Sequence, residues 1–246
     1  MNNSISSIDA WTDFGLTSND VSKLDNDTIV VTKWNWDYSM SHRFQRKALE
    51  LVQENPYLKI LICCNHPEVL TNGRGLQKPK KGEAFHLIEF DPELVKNYNY
   101  PLHQIERGGG LTFHHPGQFI FYPVVKLNPK TLSLSIMINQ IFDVTSQVLK
   151  SWGIEKLNHE NQLLGLWHGG KKIASMGIAI NKLTTFHGMA LNILNNPGMM
   201  LSLQSLNPCG LNIKTYTSVE SLTNLPIDPI ESFKTEFLKR IHHEWK

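Results

Sequence analysis

The chain has 246 residues, of which 41% are hydrophobic and 19% are charged, and its formal net charge is +2. This composition is typical of a globular enzyme and excludes a disordered chain, and the length suits one large α/β domain. There is no apolar run of about 18 residues and no concentrated basic face, so we expect neither a membrane span nor nucleic-acid binding.

The first predicted element is a polar amino-terminal segment, residues 1–27, rich in serine, asparagine and aspartate. It resembles neither a secretory signal nor a transit peptide, so we expect a loosely held extension and a cytoplasmic protein. The remainder, residues 28–246, shows no repeat or linker and is expected to form a single domain. The odd number of cysteines, three, also favours reduced thiols in a reducing compartment.

Between residues 28 and 127 the sequence predicts more strands than helices. The spacing of apolar residues at 39–55 predicts an amphipathic helix, which Pro56 ends. Turn residues at 65–75 predict a loop. Short apolar runs predict strands at residues 28–34, 58–64, 85–90 and 119–127.

The second half of the chain combines helices with hairpins. Helices are predicted at residues 133–152 and 228–245. Strands are predicted at 163–168, 172–180 and 184–194, with tight turns at Gly169-Gly170 and Asn181-Lys182. Hairpins are too frequent for a purely parallel sheet. We therefore predict an α/β fold with a mixed, largely antiparallel sheet flanked by helices.

A glycine-rich segment, RGGGLTFHHPGQ at residues 107–118, is the first candidate for chemistry. Its three consecutive glycines allow a close approach to an extended ligand, and Arg107 adds a fixed positive charge. Thr112 and His114 are candidates to point into such a site. A tight turn with a structural histidine is the alternative. The segment lacks the P-loop lysine and the dinucleotide glycine spacing, so a nucleotide site is weakly supported.

Two further segments, KKIASMG and HGMALN, lie in predicted strands. Lys172 opens an apolar strand, and burial would lower the pKa of a lysine so that it can act as a base. Lys171 is expected to be a solvated hairpin residue, although the pattern alone does not separate the two lysines. His187 fits either a structural or a catalytic histidine.

The three cysteines occupy two kinds of position. Cys63 and Cys64 lie in an apolar run and are expected to be core residues. Cys209 lies in a turn between proline and glycine, where an exposed thiol beside a cation becomes a good nucleophile. A half-buried turn cysteine is the alternative.

In their order along the chain, these segments resemble the lipoyl(octanoyl) transferases, the octanoyltransferases of lipoate biosynthesis. That family carries an RGG-x-x-T-aromatic-HGPGQ loop, a K-I-x-S/A-x-G strand, an HG-x-A-L-N segment and a PCG turn. Here they read RGGGLTFHHPGQ, KIASMG, HGMALN and NPCG, and NHPEVLTNG at 65–73 resembles a further family segment. The likeness covers roughly residues 28–222 and implies a catalytic domain like those of biotin and lipoyl protein ligases.

The resemblance also implies the reaction. Cys209 would take an octanoyl group from octanoyl-acyl carrier protein as a thioester, and Lys172 would lower the pKa of its thiol. The acceptors would be lysines of the lipoyl domains of 2-oxo acid dehydrogenases and of glycine cleavage H protein, with no cofactor and no metal. The implied acyl pocket comprises Arg107, Gly108, Gly109, Gly110, Leu111, Thr112, Phe113, His114, Ser175, Met176, Gly177, Gly188, Met189 and Ala190.

Two positions depart from the family pattern, with His115 in place of glycine and Asn65 where glutamate is usual. If position 115 needed a positive φ or an open approach to the acyl group, His115 would be strained or would crowd the site. Two other functions stay open. An ATP-dependent lipoate–protein ligase shares the fold but needs no PCG cysteine, so Cys209 favours the transferase. A non-catalytic homologue would only bind acyl carrier or lipoyl domains.

Overall fold

The computed structural model describes residues 8–75, 100–160, 164–196 and 215–245. Cys209 and the strand predicted at 85–90 lie outside the described residues. Among the helices in the described ranges, none has the length and apolar character needed to cross a membrane.

Within these ranges the chain forms three α-helices and eleven strands. The helices are α1 (Tyr38–Glu54), α2 (Leu134–Ser151) and α3 (Pro229–Glu244). The strands are β1 (Val21–Lys23), β2 (Thr28–Lys33), β3 (Lys59–Cys64), β4 (Val69–Gly75), β5 (Leu102–Gln104), β6 (Gly109–His114), β7 (Gln118–Val124), β8 (Leu157–Glu160), β9 (Gly165–His168), β10 (Lys171–Asn181) and β11 (Thr184–Asn192).

These strands form two sheets. The larger has the order β1-β2-β3-β7-β11-β10-β9-β8, and the smaller has the order β5-β4-β6. Neighbours in the larger sheet are antiparallel except for β2 and β3, and in the smaller sheet only β4 and β5 are parallel. The predicted mixed, largely antiparallel sheet flanked by helices is confirmed.

Helices cover both faces of the larger sheet, so its strand β7 is buried along its whole length. Phe119 and Phe121 belong to the cluster formed with α2 and α3, and the ring of Phe237 on α3 lies 4.8 Å from that of Phe121. Ile120 and Tyr122 belong to the opposite cluster, formed with α1. Because strand side chains alternate between faces, a strand covered on both sides reads as a continuous apolar run.

Capping residues set the starts of α1 and α2 close to their predicted positions. The Asp37 carboxylate accepts a hydrogen bond from the backbone N–H of Met40 at 3.0 Å, and the Ser133 hydroxyl accepts one from Ile136 at 3.3 Å. These bonds satisfy backbone donors that have no partner within the first turn. Because Asp37 caps α1, Tyr38 is the first residue of this helix.

The amino-terminal segment differs from the expectation of a loose extension. From Ile8 onward it forms two short 3₁₀ helices and β1, which pairs with β2. Trp11 and Leu16 are buried, and the Trp11 ring lies 5.1 Å from that of Phe44 on α1. A few isolated apolar residues therefore hold this part of the segment against α1. The average composition of the segment is polar, so it does not reveal these contacts.

The predicted loop at residues 65–75 is also different, since β4 is the central strand of the smaller sheet. Gly73 explains why the sequence there does not look like a strand. A Cβ at Gly73 would lie 2.3 Å from the carbonyl oxygen of Gly109 and 2.7 Å from that of Arg107. Strand β4 can approach the glycine-rich segment this closely only without a side chain at this position.

Candidate active site

A pocket lies where the smaller sheet meets β10 and β11 of the larger sheet. The backbone N–H of Gly108 donates to the carbonyl of Ile178 at 3.2 Å and joins the two sheets. The pocket is lined by Tyr38, Arg107, Gly108, Gly109, Thr112, His114, Tyr122, Lys172, Ser175, Met176, Gly177, His187, Gly188, Met189 and Ala190.

Most residues predicted for the acyl pocket are therefore brought together, and three are not. Leu111 and Phe113 are buried on the other side of β6, because Thr112 and His114 take the pocket side of that strand. Gly110 instead supplies a carbonyl that accepts a hydrogen bond from Arg107 at 2.9 Å.

Apart from Lys172, which was predicted as a catalytic residue, three pocket residues were not among the predicted site residues. Tyr38 begins α1, Tyr122 lies within the apolar run of β7, and His187 lies in β11. The sequence leaves open whether His187 is a structural or a catalytic histidine. The pattern around the two tyrosines is that of core residues, so the sequence carries no separate indication of a pocket position for them.

Arg107 holds the glycine-rich segment in shape. Its guanidinium is buried, and it donates to the carbonyls of Gly108 and Gly110 at 3.0 and 2.9 Å. It also donates to the carbonyl and hydroxyl oxygens of Thr71 at 2.9 and 2.8 Å. A guanidinium offers several donors in a fixed planar arrangement, which suits a set of acceptors on two strands. Arg107 thus ties β6 to β4 at the pocket wall.

We expect Arg107→Lys to lower the free energy of unfolding by about 2–4 kcal/mol, because an ammonium group cannot reach all four acceptors. Thr71→Val removes a single acceptor and keeps the shape of the side chain, so it should cost about 1–2 kcal/mol. Urea denaturation of both variants measures the difference. An equal loss in the two variants would contradict this role for Arg107.

Glycine at position 177 is explained by the packing of Arg107. A Cβ at Gly177 would lie 2.8 Å from the Arg107 Cδ atom and 3.1 Å from the carbonyl oxygen of Gly108. The glycine-rich segment crosses β10 at this point and leaves no space for a side chain. The glycine of the Ser-x-Gly pattern in β10 is therefore required by the contact between the sheets.

Lys172 and Lys171 lie in different environments, which the sequence alone did not separate. Lys172 is 3% exposed, lines the pocket, and its Nζ atom lies 5.5 Å from the centre of the Trp167 ring. Lys171 is exposed at the start of β10. The backbone of Lys172 also accepts a hydrogen bond from Thr217 at 3.0 Å and forms a bridge with Tyr216.

Aromatic and histidine side chains form a neutral wall of the pocket. The Tyr38 ring stacks at 6.0 Å from that of His114, whose Nδ1 atom lies 3.0 Å from the side-chain oxygen of Gln118. Burial lowers the pKa of His114 well below its usual value and raises the pKa of Tyr122 well above its own. Both groups are uncharged at neutral pH, so this wall suits an apolar ligand.

His115 neither crowds the pocket nor strains the backbone. It is buried outside the pocket lining, and its φ is not in the left-handed region. Its Nδ1 atom accepts a hydrogen bond from the backbone N–H of Gly117 at 3.1 Å, and its ring stacks on Phe113. Burial lowers the pKa of His115 to about 4, so the ring is neutral. A histidine is therefore accommodated at this position.

Asn65 links two loops by using both groups of its amide. Its oxygen accepts a hydrogen bond from the backbone N–H of Asn35, and its nitrogen donates to the carbonyl of Pro116 at 2.6 Å. A carboxylate could not donate the second bond. Asparagine in place of glutamate thus allows the hydrogen bond to Pro116, which a glutamate could not donate.

The two cysteines that the structure describes are core residues, as predicted. Cys63 and Cys64 are free thiols with no exposure to solvent. Burial raises the pKa of both thiols and so disfavours the nucleophilic thiolate. The predicted nucleophile, Cys209, lies outside the described residues.

The comparisons with known proteins agree with the geometry. The model of the lipoyl protein ligase A/B catalytic domain matches residues 37–242. An octanoyltransferase of Nostoc sp. is 31% identical over 79% of this chain and 82% of its own length. An octanoyltransferase of Desulfovibrio desulfuricans is 34% identical over 84% of this chain and 82% of its own length.

A lipoate-protein ligase A solved with ATP shows the same fold, with a TM-score of 0.62 and 16% identity. The likeness covers 89% of this chain and 86% of that protein, and it confirms the predicted ligase-like catalytic fold. The chain therefore belongs to the lipoyl protein ligase A/B catalytic-domain family and, within it, to the octanoyltransferases.

Proposed function

We propose that this acyltransferase moves an octanoyl group from octanoyl-acyl carrier protein to a lysine of lipoyl domains, through a thioester on Cys209. Family membership supports the transfer of an octanoyl group. The acceptors in the proposal are the lipoyl domains of 2-oxo acid dehydrogenases and glycine cleavage H protein, and the compartment is the cytoplasm.

The observation that carries the proposal is the burial of Lys172 in the pocket wall. A lysine taken out of water gives up its proton more readily, so it can accept the proton of a nearby thiol or amine. Lys172 lies among Ser175, Gly177 and Gly188, all of which line the same pocket. An acyl group bound there would have its reacting carbon close to a basic nitrogen.

Two contacts support bringing Cys209 to this lysine. Before the segment that holds Cys209, Asn195 donates its backbone N–H to the Glu220 carboxylate at 2.7 Å. After that segment, Tyr216 pairs with Lys172 itself. The chain therefore leaves β11 and returns beside the start of β10 at the same end of these two neighbouring strands, and position 209 is seven residues before Tyr216.

The proposed reaction has two balanced steps. The Cys209 thiol gives its proton to Lys172, the thiolate attacks the carbonyl of the donor thioester, and the protonated Lys172 returns the proton to the departing carrier sulfur as the new thioester forms. The amine of the acceptor lysine then attacks this thioester and loses a proton to Lys172, which passes it to the departing Cys209 sulfur and so restores the thiol. Since the bond cleaved in the donor and the bond formed on the enzyme are both thioesters, the first step needs no ATP.

Intact-mass spectrometry tests the intermediate. Incubation with octanoyl-acyl carrier protein should add one octanoyl group to the wild-type chain, and hydroxylamine should remove it. Cys209→Ser should lose that hydroxylamine-labile adduct, whereas Cys63→Ser, at a buried position, serves as the matched control and should keep it.

An unmodified wild-type chain would contradict the proposal and would favour a protein that only binds acyl carriers or lipoyl domains. Octanoylation of the lipoyl domain only in the presence of ATP and free octanoic acid would also contradict the proposal, and it would identify the protein as a ligase.

A further inference from the structure

Three side chains from distant parts of the sequence meet at the rim of the pocket. The Nε2 atom of His42 on α1 lies 2.9 Å from Oε2 of Glu106, directly before the glycine-rich segment. The Nε2 atom of His187 on β11 lies 3.8 Å from the same oxygen. One ligand atom from each of the three residues lies within 4.8 Å of the other two.

The contact between His42 and Glu106 has the geometry of an ordinary hydrogen bond between an imidazole and a carboxylate, but it does not explain the position of His187. His187 is 1% exposed, and its Nε2 atom has no hydrogen-bond partner among the described residues. A buried ring nitrogen without a partner is unfavourable, and it aims at the same carboxylate oxygen.

The backbone holds His187 in this orientation. Its φ is +57°, in the left-handed region that a residue with a side chain rarely adopts. The Oε1 atom of Gln45 accepts a hydrogen bond from the backbone N–H of His187 at 2.8 Å. A strained backbone fixed by a buried side chain marks positions where orientation matters.

We propose that His42, Glu106 and His187 bind one divalent transition-metal ion, with zinc as the best match. Two imidazoles and one carboxylate form a ligand set that this class of ion prefers. Bonds of about 2.0–2.2 Å in a tetrahedral site separate neighbouring ligand atoms by about 3.4 Å. The two separations from Oε2, 2.9 and 3.8 Å, lie on either side of that value.

The other contact of Glu106 leaves the proposed ligand oxygen available. Arg46 lies 3.5 Å from the second carboxylate oxygen, Oε1, so Oε2 faces the two histidines.

Such an ion would connect α1, the start of the glycine-rich segment and β11 across the rim of the pocket. Because these ligands come together only in the folded chain, binding would stabilise the fold. The proposed ligands do not include Lys172 or Cys209. Zinc binding can therefore be measured without any acyl substrate.

Isothermal titration of the metal-free full chain with ZnCl₂ tests the proposal. We expect one zinc ion per chain with micromolar affinity and a rise in Tm. His42→Ala and Glu106→Gln, at partly exposed positions, should each weaken binding by about 10–100-fold or more. The matched control is His242→Ala, which removes a histidine that lies 3.5 Å from Asp25 and is not one of the three proposed ligands. This variant should bind zinc like the wild type.

A second variant keeps the test independent of folding. His187→Asn removes the ring but retains a residue that tolerates a positive φ, and it should lose zinc binding while keeping its circular dichroism spectrum. Cys209→Ser should bind zinc normally, and the cobalt form should show no thiolate charge-transfer band. Absence of binding to the wild type, unchanged binding in His42→Ala and Glu106→Gln, or loss of binding in Cys209→Ser would each overturn the proposal.

Discussion

Lys172→Ala is expected to slow octanoyl transfer by about 10²–10⁴-fold, the usual contribution of a positioned proton acceptor. The side chain is buried against Trp167 in the pocket wall, and in the proposed reaction its amine takes a proton from the thiol and from the incoming lysine. Single-turnover acylation from octanoyl-acyl carrier protein, followed by intact-mass spectrometry, measures the first half-reaction directly.

Lys171→Ala is the matched control, because the neighbouring side chain is exposed and points away from the pocket lining. It should acylate at close to the wild-type rate. Thermal unfolding of both variants separates a loss of chemistry from a loss of fold. Equal effects of the two substitutions, or full acylation of Lys172→Ala, would contradict the assignment of Lys172.

Gly188→Ala should destabilise the protein by about 3 kcal/mol or more, at the upper end of effects from overpacking. A Cβ at Gly188 would lie 2.1 Å from the carbonyl oxygen of Phe121 and 2.9 Å from the Pro123 Cδ atom. Both belong to β7, the fully buried strand between the two helical layers. The overlap can be relieved only if β11 moves away from β7, which would disturb the sheet and the pocket together.

Gly169→Asn provides the control for Gly188→Ala. Gly169 has a φ of +54° in the turn between β9 and β10, and no atom would lie within 4 Å of its Cβ. Asparagine before glycine is favoured in such hairpin turns, so the change in stability should stay within about 0.5 kcal/mol. Urea denaturation measures both variants, and a loss at position 188 no larger than that at 169 would contradict the packing role of Gly188.

Elements stabilised by local interactions were predictable with near-correct bounds. Helix α1 was predicted at 39–55 and spans Tyr38–Glu54, because its apolar spacing and its cap are properties of neighbouring residues. The Gly169-Gly170 turn was predicted for the same reason, and both glycines have positive φ. The buried strand β3 was likewise evident from its continuous apolar run.

Elements that depend on distant partners were not predictable in this way. Strand β4 was predicted as a loop because its sequence contains Gly73, which only the approach of Gly109 requires. The packing of Trp11 on Phe44 joins residues far apart in the sequence, so it left no periodic pattern near the amino terminus. The ligands His42, Glu106 and His187 are likewise separated along the chain and are united only by the fold.

The sequence by itself determined the fold class, the family resemblance and most of the pocket residues, because motif order and local periodicity are read directly from neighbouring residues. Only the tertiary structure decided which lysine lines the pocket and why His115 is tolerated. It also decided that Tyr38 and Tyr122 complete the wall while Leu111 and Phe113 face away. The physical reason is that burial and orientation arise from contacts between strands distant in sequence.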